Sequence, residues 1–393
     1  MRSDTAPSPP GFRVLFWGTY DRGRPRNRIS IEGLRRQGAA VTLLHADVWA
    51  GIEDKSRIHG WLPRLRQATR LAAAYLRLTV GYLFAPRHEV VVVAYLGFVD
   101  IFLLWPWAML RRKPIVWDAM MSLYNTLVID RELVKPGSLP ARILFAAEWL
   151  ACRMAKRVLV TTEQRRGDFV ARYGLRAERV CVIPLGAEYA AFPERPATDT
   201  ETALSSPIEL LFYGQFTPLH GVETLIRAAR LAADRPYHWT IIGNGQTAEQ
   251  VRAMLDATPL PSLQWIDWVD YPQLAHWIHR ADIGLGIFGT SAKSAETIPN
   301  KIYQILATGT PLITRDSPAI RELLPDGGAP GVYLVPPADP EALLQAIERF
   351  ATERVGFRGV SLHQALNEKI RDDVSGRRLM TVLQDAAATG QKQ

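Results

Sequence analysis

One short stretch of the 393-residue sequence, Glu296 to Pro311, ETIPNKIYQILATGTP, brings a carboxylate, an ammonium and an amide into close succession. Pro299 suits the first turn of a helix and Gly309 its end, so KIYQILA reads as helical, with Glu296 in the loop ahead of it. The amino end of such a helix, carrying Lys301, presents positive potential to an anion. Gln304 falls on the same face as Lys301. Together they offer a cation for a diphosphate, an amide for a ribose and a carboxylate for a sugar hydroxyl. The competing reading is a capped helix with incidental polar residues.

Other candidates stand where short β-branched runs give way to helical segments. In YGQFTPLHG, Tyr213 to Gly221, backbone amides and a helix N-terminus face phosphate oxygens, with Gln215 in the turn and His220 as a further donor. Gly243, Asn244 and Gly245 form a second turn suited to approach by a base or ribose. In the first half, GTYDRGRPRN places Gly18 at a strand end, where the backbone can come close to a ligand. Arg22, Arg24, Arg26 and Arg28 add positive charge there, for a donor phosphate or an anionic acceptor; a solvated basic loop is the alternative. The pattern is not GxGxxG, which disfavours a dinucleotide site. PIVWDA ends in Trp117 and Asp118, whose carboxylate could orient or deprotonate an acceptor hydroxyl or simply cap the next segment. Asp130 and Arg131 lie beyond it.

The elements that must position these residues form an alternation of strands and helices, which reads as parallel sheet with crossover helices. Six strands are expected from RVLFWGT at Arg13 to RVCVIPLG at Arg179. Six more run from IELLFYG at Ile208 to GVYLVPP at Gly331. The apolar runs do not alternate strictly, as expected of strands covered on both faces. Between the sets lies a Pro/Thr/Ser-rich linker. The expected organisation is a disordered leader over 1–11, a Rossmann-like domain over 12–190, a linker over 191–207 and a second Rossmann-like domain over 208–370. Two doubly wound α/β domains in tandem leave a cleft between the carboxyl ends of their sheets, where ligands of such sheets bind.

Lys and Arg number 47 against 39 Asp and Glu, giving a net charge of +8 and a pI near 9.6. That balance alone suits an anionic partner, whether nucleotide, phospholipid surface or nucleic acid, or simply a basic soluble protein; with the candidate residues above, nucleic acid is not expected. Cys152 and Cys181 have no metal-ligand spacing, and no acidic cluster suggests an obligatory metal. Ala94 to Leu110 contains Asp100 and Pro106 and falls short of the ~20 apolar residues of a membrane span. The segment 62–84 reads as a basic amphipathic helix. Arg66, Arg70 and Arg77 share a sector of about 40° beside Leu62, Leu65, Leu76, Val80 and Leu83. Such a helix can lie on an anionic membrane, or pack on the sheet with a basic outer stripe.

The chain resembles a retaining family 4 glycosyltransferase of the GT-B fold, in which a Glu-x7-Glu motif precedes an Ala-x-Gly-x-Pro turn. Here Glu296 and Gln304 stand at that spacing, and ILATGTP follows from Ile305. The GNG turn and YGQFTPLHGVETLI match the second-domain pattern, and GTYDRGRPRN followed by EGLRRQGAAV resembles the first. Three positions depart from it. Gln304 replaces the second glutamate. Gln215 and His220 stand for the usual arginine and lysine. Trp117 stands where a histidine often precedes the aspartate.

The resemblance implies sugar transfer from a nucleoside diphosphate sugar, such as a UDP- or GDP-sugar, to an acceptor hydroxyl with retention. Lys301, His220 and the helix N-terminus would stabilise the departing diphosphate. Glu296 would position the donor sugar, Gln304 and the GNG turn the nucleoside, and Asp118 the acceptor. A last helix, 371–387, could return to the first domain. No cofactor and no metal are expected. The expected setting is bacterial surface polysaccharide or glycolipid synthesis, with a carbohydrate or lipid-linked acceptor, in the cytoplasm or on the inner face of its membrane. A sugar-nucleotide epimerase of the same fold and a non-catalytic nucleotide- or membrane-binding homologue are the alternatives.

Overall fold

A computed structural model describes residues 11–48, 61–95, 97–195, 207–324, 328–357, 360 and 362–390. The expected leader, apart from its last residue, and most of the expected linker lie outside them.

The first lobe is a six-stranded parallel sheet of β1 (Arg13–Gly18), β2 (Ala40–His45), β3 (Val90–Val93), β4 (Ile115–Met120), β5 (Arg157–Val160) and β6 (Val180–Val182). Its spatial order is β2-β1-β3-β4-β5-β6, with Val14 to Trp17 in register with Val90 to Val93. All four valines of β3 are buried, which requires cover on both faces and explains the unbroken apolar run. The helices are α1 (Pro25–Arg36), α2 (Trp61–Leu83), α3 (Phe98–Leu110), α4 (Leu139–Met154) and α5 (Glu163–Tyr173). On the outer layer α3 packs between α2 and α4.

The second lobe repeats the plan with β7 (Ile208–Tyr213), β8 (Tyr237–Ile242), β9 (Leu263–Ile266), β10 (Ile283–Leu285), β11 (Leu312–Arg315) and β12 (Val332–Val335). They are ordered β12-β11-β10-β7-β8-β9. Its helices are α6 (Val222–Leu231), α7 (Ala248–Ala257), α8 (Leu274–Arg280), α9 (Ala292–Glu296), α10 (Asn300–Ala307), α11 (Pro318–Leu323), α12 (Pro340–Glu353) and α13 (Gln364–Ile370). The last helix, α14 (Asp372–Gly390), returns to the first lobe and lies on α1. Its Leu379, Leu383 and Ala386 fill the core that holds Val14, Phe16 and Val90. Gly33 and Gly376 permit that approach, because a Cβ on Gly33 would stand 2.9 Å from the Gly376 Cα.

Strand order reverses between β1 and β3 in the first lobe and between β7 and β10 in the second. In open parallel sheets a crevice opens at such a switch point, outside the strand ends. The carboxyl ends of the two sheets meet. Thr162, just past β5, donates to the Glu296 carbonyl at 2.8 Å, and Lys293 pairs with Asp130 at 3.1 Å.

Candidate active site

Lys301 leaves the first turn of α10 and ends at the second lobe's switch point. Its Nζ is 3.2 Å from the carbonyl oxygen of Gly286, which follows β10, and 3.5 Å above the ring of Phe212 in β7. The residue is 4 % exposed, and among the described residues no carboxylate pairs with it. Burial therefore holds its pKa well below the usual lysine value. Gly214, just past β7, makes the room: its φ is +140°, and a Cβ there would meet both Lys301 and His220 at 3.3 Å.

His220 is buried beside Lys301, and its Nδ1 bonds the Gln215 carbonyl. Burial and the Lys301 charge both push its pKa well below the ordinary value. In the neutral ring Nδ1 is then the donor and Nε2 an acceptor. His220, expected as a further phosphate donor, therefore donates from Nε2 only when the ring is protonated. The Gln215 side chain is exposed at the mouth of the same turn.

The glycines serve packing more than ligand approach. A Cβ on Gly243 would stand 1.9 Å from the Gly214 carbonyl, and one on Gly245 2.6 Å from that of Phe216. The GNG turn is thus fastened to the YGQFTPLHG turn, with Phe216 N–H donating to the Asn244 carbonyl at 2.9 Å. Asn244 keeps an exposed side chain, 3.3 Å from Asp267. Gly18 is likewise required by a neighbour, since a Cβ would fall 2.0 Å from Asp100 Oδ2. Asp100 in turn accepts from Thr19 and Tyr75.

Gln304 is 5 % exposed, and its amide is engaged inside the protein. Its Oε1 accepts from the Tyr213 hydroxyl at 2.9 Å, and its Nε2 donates to the Tyr271 hydroxyl at 3.2 Å. Tyr271 bonds Glu188, which pairs with Arg28 at 2.7 Å.

Glu296 ends α9 instead of standing in a free loop, and Pro299 caps α10 instead of lying in its first turn. The Glu296 carboxyl is half-buried, and its Oε2 is buried without a partner among the described residues. Burial raises its pKa, opposed by the nearby Arg165.

Asp118 does not stand free in the cleft. It is 3 % exposed, and Arg26 holds both its oxygens at 2.7 and 3.1 Å while donating to the Ile183 carbonyl at 2.8 Å. The pair ties β4 to α1 and the end of β6, so Arg26 is not part of a basic cleft mouth either. Trp117 belongs to the first lobe's core.

Two residues escaped the sequence reading. Arg165, one turn into α5, is 2 % exposed and donates to the Thr297 hydroxyl across the lobes. Lys293, on α9, binds Asp130. Arg165 had one available signal: it follows the Thr162 cap directly after a strand end, the same kind of position that singled out His220 and Lys301. Among the described residues no three His, Cys, Asp or Glu side chains could hold a metal ion. A cavity lined by Glu209, His238, Gln264 and Trp277 lies by the amino ends of β7 to β9, remote from this site.

The family profile of the glycosyl transferases group 1 matches residues 207–353. A glycosyl transferase assigned to colanic acid biosynthesis in Escherichia coli K12 is 27 % identical over 143 residues, 35 % of either chain. The matched region thus spans about a third of that relative. Among solved structures, Anabaena HepE in complex with UDP and glucose superposes with a TM-score of 0.60 at 14 % identity. The superposition covers 97 % of this chain and 100 % of that one. Sucrose-phosphate synthase from Thermosynechococcus elongatus gives 0.63 at 15 %, covering 97 % and 98 %. At such identities the likeness establishes the fold, two facing doubly wound lobes of the GT-B type. The second lobe, which carries Lys301 and Glu296, thus matches the glycosyl transferases group 1 over residues 207–353, within a chain of the GT-B fold.

Proposed function

We propose that the protein transfers a sugar from a nucleoside diphosphate sugar to an acceptor hydroxyl, with retention of anomeric configuration. The observation that carries this reading is Lys301: a buried amine with no carboxylate partner among the described residues, at a switch point. A buried charge without a counter-ion is costly, and an arriving diphosphate supplies the missing negative charge. The same ammonium then opposes the charge that grows on the departing diphosphate, where a fixed cation in a dry site lowers the barrier most. Glu296, with an unpartnered buried oxygen, is the group offered to the donor sugar. Retention and independence from a metal rest on the family resemblance. The bound UDP in the HepE structure favours a uridine donor, and the colanic acid relative favours a role in surface polysaccharide synthesis.

The membrane reading of 62–84 also draws support. Among its described side chains, Leu65, Leu76 and Val80 are exposed beside exposed Arg66, Arg70 and Arg77. Val99, Leu103, Met109 and Leu110 continue the exposed apolar surface on α3, and Ile143, Trp149 and Leu150 on α4. Exposed apolar area rimmed by arginine suits peripheral contact with an anionic bilayer. No described helix is long and apolar enough to cross one.

The test is sugar transfer by Glu296→Gln, with donor binding measured in parallel. Turnover is expected to collapse while nucleoside diphosphate affinity stays close to that of the parent. An unchanged transfer rate would remove Glu296 from the mechanism, and no affinity for any nucleoside diphosphate would remove the reading altogether.

A further inference from the structure

The first lobe has a switch point of its own, and three buried polar atoms near it have no partner among the described residues. Tyr95 follows β3, beside the end of β1. The charges of Arg24, Arg131 and Arg165 all bear on its hydroxyl. Arg131 and Arg165 each keep a buried, unpartnered Nε, and the third orphan is the Oε2 of Glu296.

The cluster is compact. Arg131 follows Asp130, which holds Lys293 at 3.1 Å and Ser291 at 2.9 Å. The Thr297 hydroxyl, which receives Arg165, donates to the Lys293 carbonyl at 2.6 Å. Most charges here are matched: Arg24 by Asp21, Arg172 by Asp168 and Lys293 by Asp130. Arg131 makes no side-chain hydrogen bond to a described residue, and Arg165 makes no ion pair among them. Arg165 thus lies in the field of Glu296, Asp168 and Asp130 without an ion pair to any of them, and its charge and that of Arg131 meet at Tyr95. Guanidinium does not deprotonate in proteins, so desolvation cannot be relieved by shedding the charge. Planar N–H donors match phosphate oxygens well.

We infer that this cluster is a subsite for a phosphoryl group on the acceptor, bound by Arg131 and Arg165 opposite the donor side. The subsite rests on the transferase reading. It places the acceptor's negative charge on the first lobe, and Lys301 receives the donor's on the second. Two kinds of acceptor share this chemistry, a soluble sugar phosphate and a lipid-linked phosphate.

The experiment titrates inorganic phosphate into the full chain saturated with UDP, which occupies the donor side. The variants are Arg131→Gln, Arg165→Gln and Arg165→Lys, with Lys301→Met as the donor-side control. Phosphate affinity is expected to fall at least about tenfold in both glutamine variants, the scale of one lost charge-assisted hydrogen bond. UDP affinity should hold, and Arg165→Lys should restore part of the loss. Arg131→Gln breaks no bond between the lobes, so it separates anion binding from a change in lobe contact. Unchanged phosphate affinity in both glutamine variants overturns the subsite, as does UDP affinity falling in parallel. If the parent binds neither UDP nor GDP, the transferase reading fails, and the same titration without nucleotide still decides the subsite. Competition with glucose 6-phosphate and farnesyl phosphate identifies the source. Stronger competition by the first marks a soluble acceptor, by the second a lipid one, and competition by neither overturns the acceptor assignment.

Discussion

The two switch points handle charge in opposite ways. In the second lobe the Lys301 amine lies over the Phe212 ring with no carboxylate partner among the described residues. In the first lobe carboxylates and guanidinium groups crowd together, and most are paired or hydrogen-bonded, as Asp118 is with Arg26 and Asp100 with Thr19 and Tyr75. A lone buried lysine can lose its proton, so its charge follows the ligand. Arginines stay charged throughout the physiological range, so what they bind does not depend on their protonation. The second lobe's switch point is therefore a titratable site and the first lobe's a permanent one.

The largest test of that contrast removes a matched pair in the first lobe. Arg26→Met leaves the Asp118 carboxylate buried and unpaired. Breaking such a pair from one side costs about 3–5 kcal/mol, to be read from the denaturant midpoint. Transfer by the folded fraction should change little. A drop in turnover with unchanged stability would return Asp118 to the acceptor and end its reading as a tie between β4 and α1.

The next test addresses Lys301. Lys301→Met should weaken nucleoside diphosphate binding by about 1.5–3 kcal/mol, the usual scale of a bond to a charged group. It should also stabilise the ligand-free protein, since a desolvated amine is replaced by an apolar chain. Because burial lowers the folded-state pKa of Lys301, the unfolded chain binds more protons between that lowered value and about 10.4. In that window Lys301 makes stability rise with pH, and the slope should be shallower in Lys301→Met. An arriving diphosphate favours the charged amine, so binding should take up a proton. Calorimetry in buffers of different ionisation enthalpy would show it, and binding without uptake would refute a titrating Lys301.

The strands and the two-lobed plan were legible because each strand is a short β-branched run bounded by turns, a local pattern. The candidate residues Lys301 and Glu296 stood out for the same reason, because they lie in one segment with its own helix signals. What could not be read was which polar groups are already engaged. Asp118 and Arg26 are far apart in sequence, as are Gln304 and Tyr213, so only the fold reveals that these groups satisfy one another. The glycines were misread for a related reason. Gly18 and Gly243 do have strand-end positions and positive φ, but the close neighbours are Asp100 and Gly214.

The lobes also differ on their outer faces. Exposed large apolar side chains are many on α2, α3 and α4 and few in the second lobe, where Leu231, Trp268, Val355 and Val360 are examples. Leu76→Glu with Val80→Glu should lower binding to phosphatidylglycerol vesicles about tenfold, by removing apolar insertion and adding like charge. Both sites are exposed, so thermal stability should move by less than about 0.5 kcal/mol per site. Equal vesicle binding by parent and variant would leave this surface without a membrane role.

The smallest effect is expected at Gln304, where the donor lobe meets the matched charges of Arg28 and Glu188. In Gln304→Glu the Tyr213 bond survives, but the donor to Tyr271 is lost. The Tyr271 hydroxyl has one proton, already directed at Glu188, so two carboxylates would compete for it. Arg28, paired with Glu188 and 4.7 Å above the Tyr271 ring, offsets part of the repulsion. The net expectation is a stability loss of about 1 kcal/mol and a change in UDP affinity below about fivefold. A gain above tenfold in UDP affinity would show that the side chain at 304 leaves its tyrosines to meet the ribose.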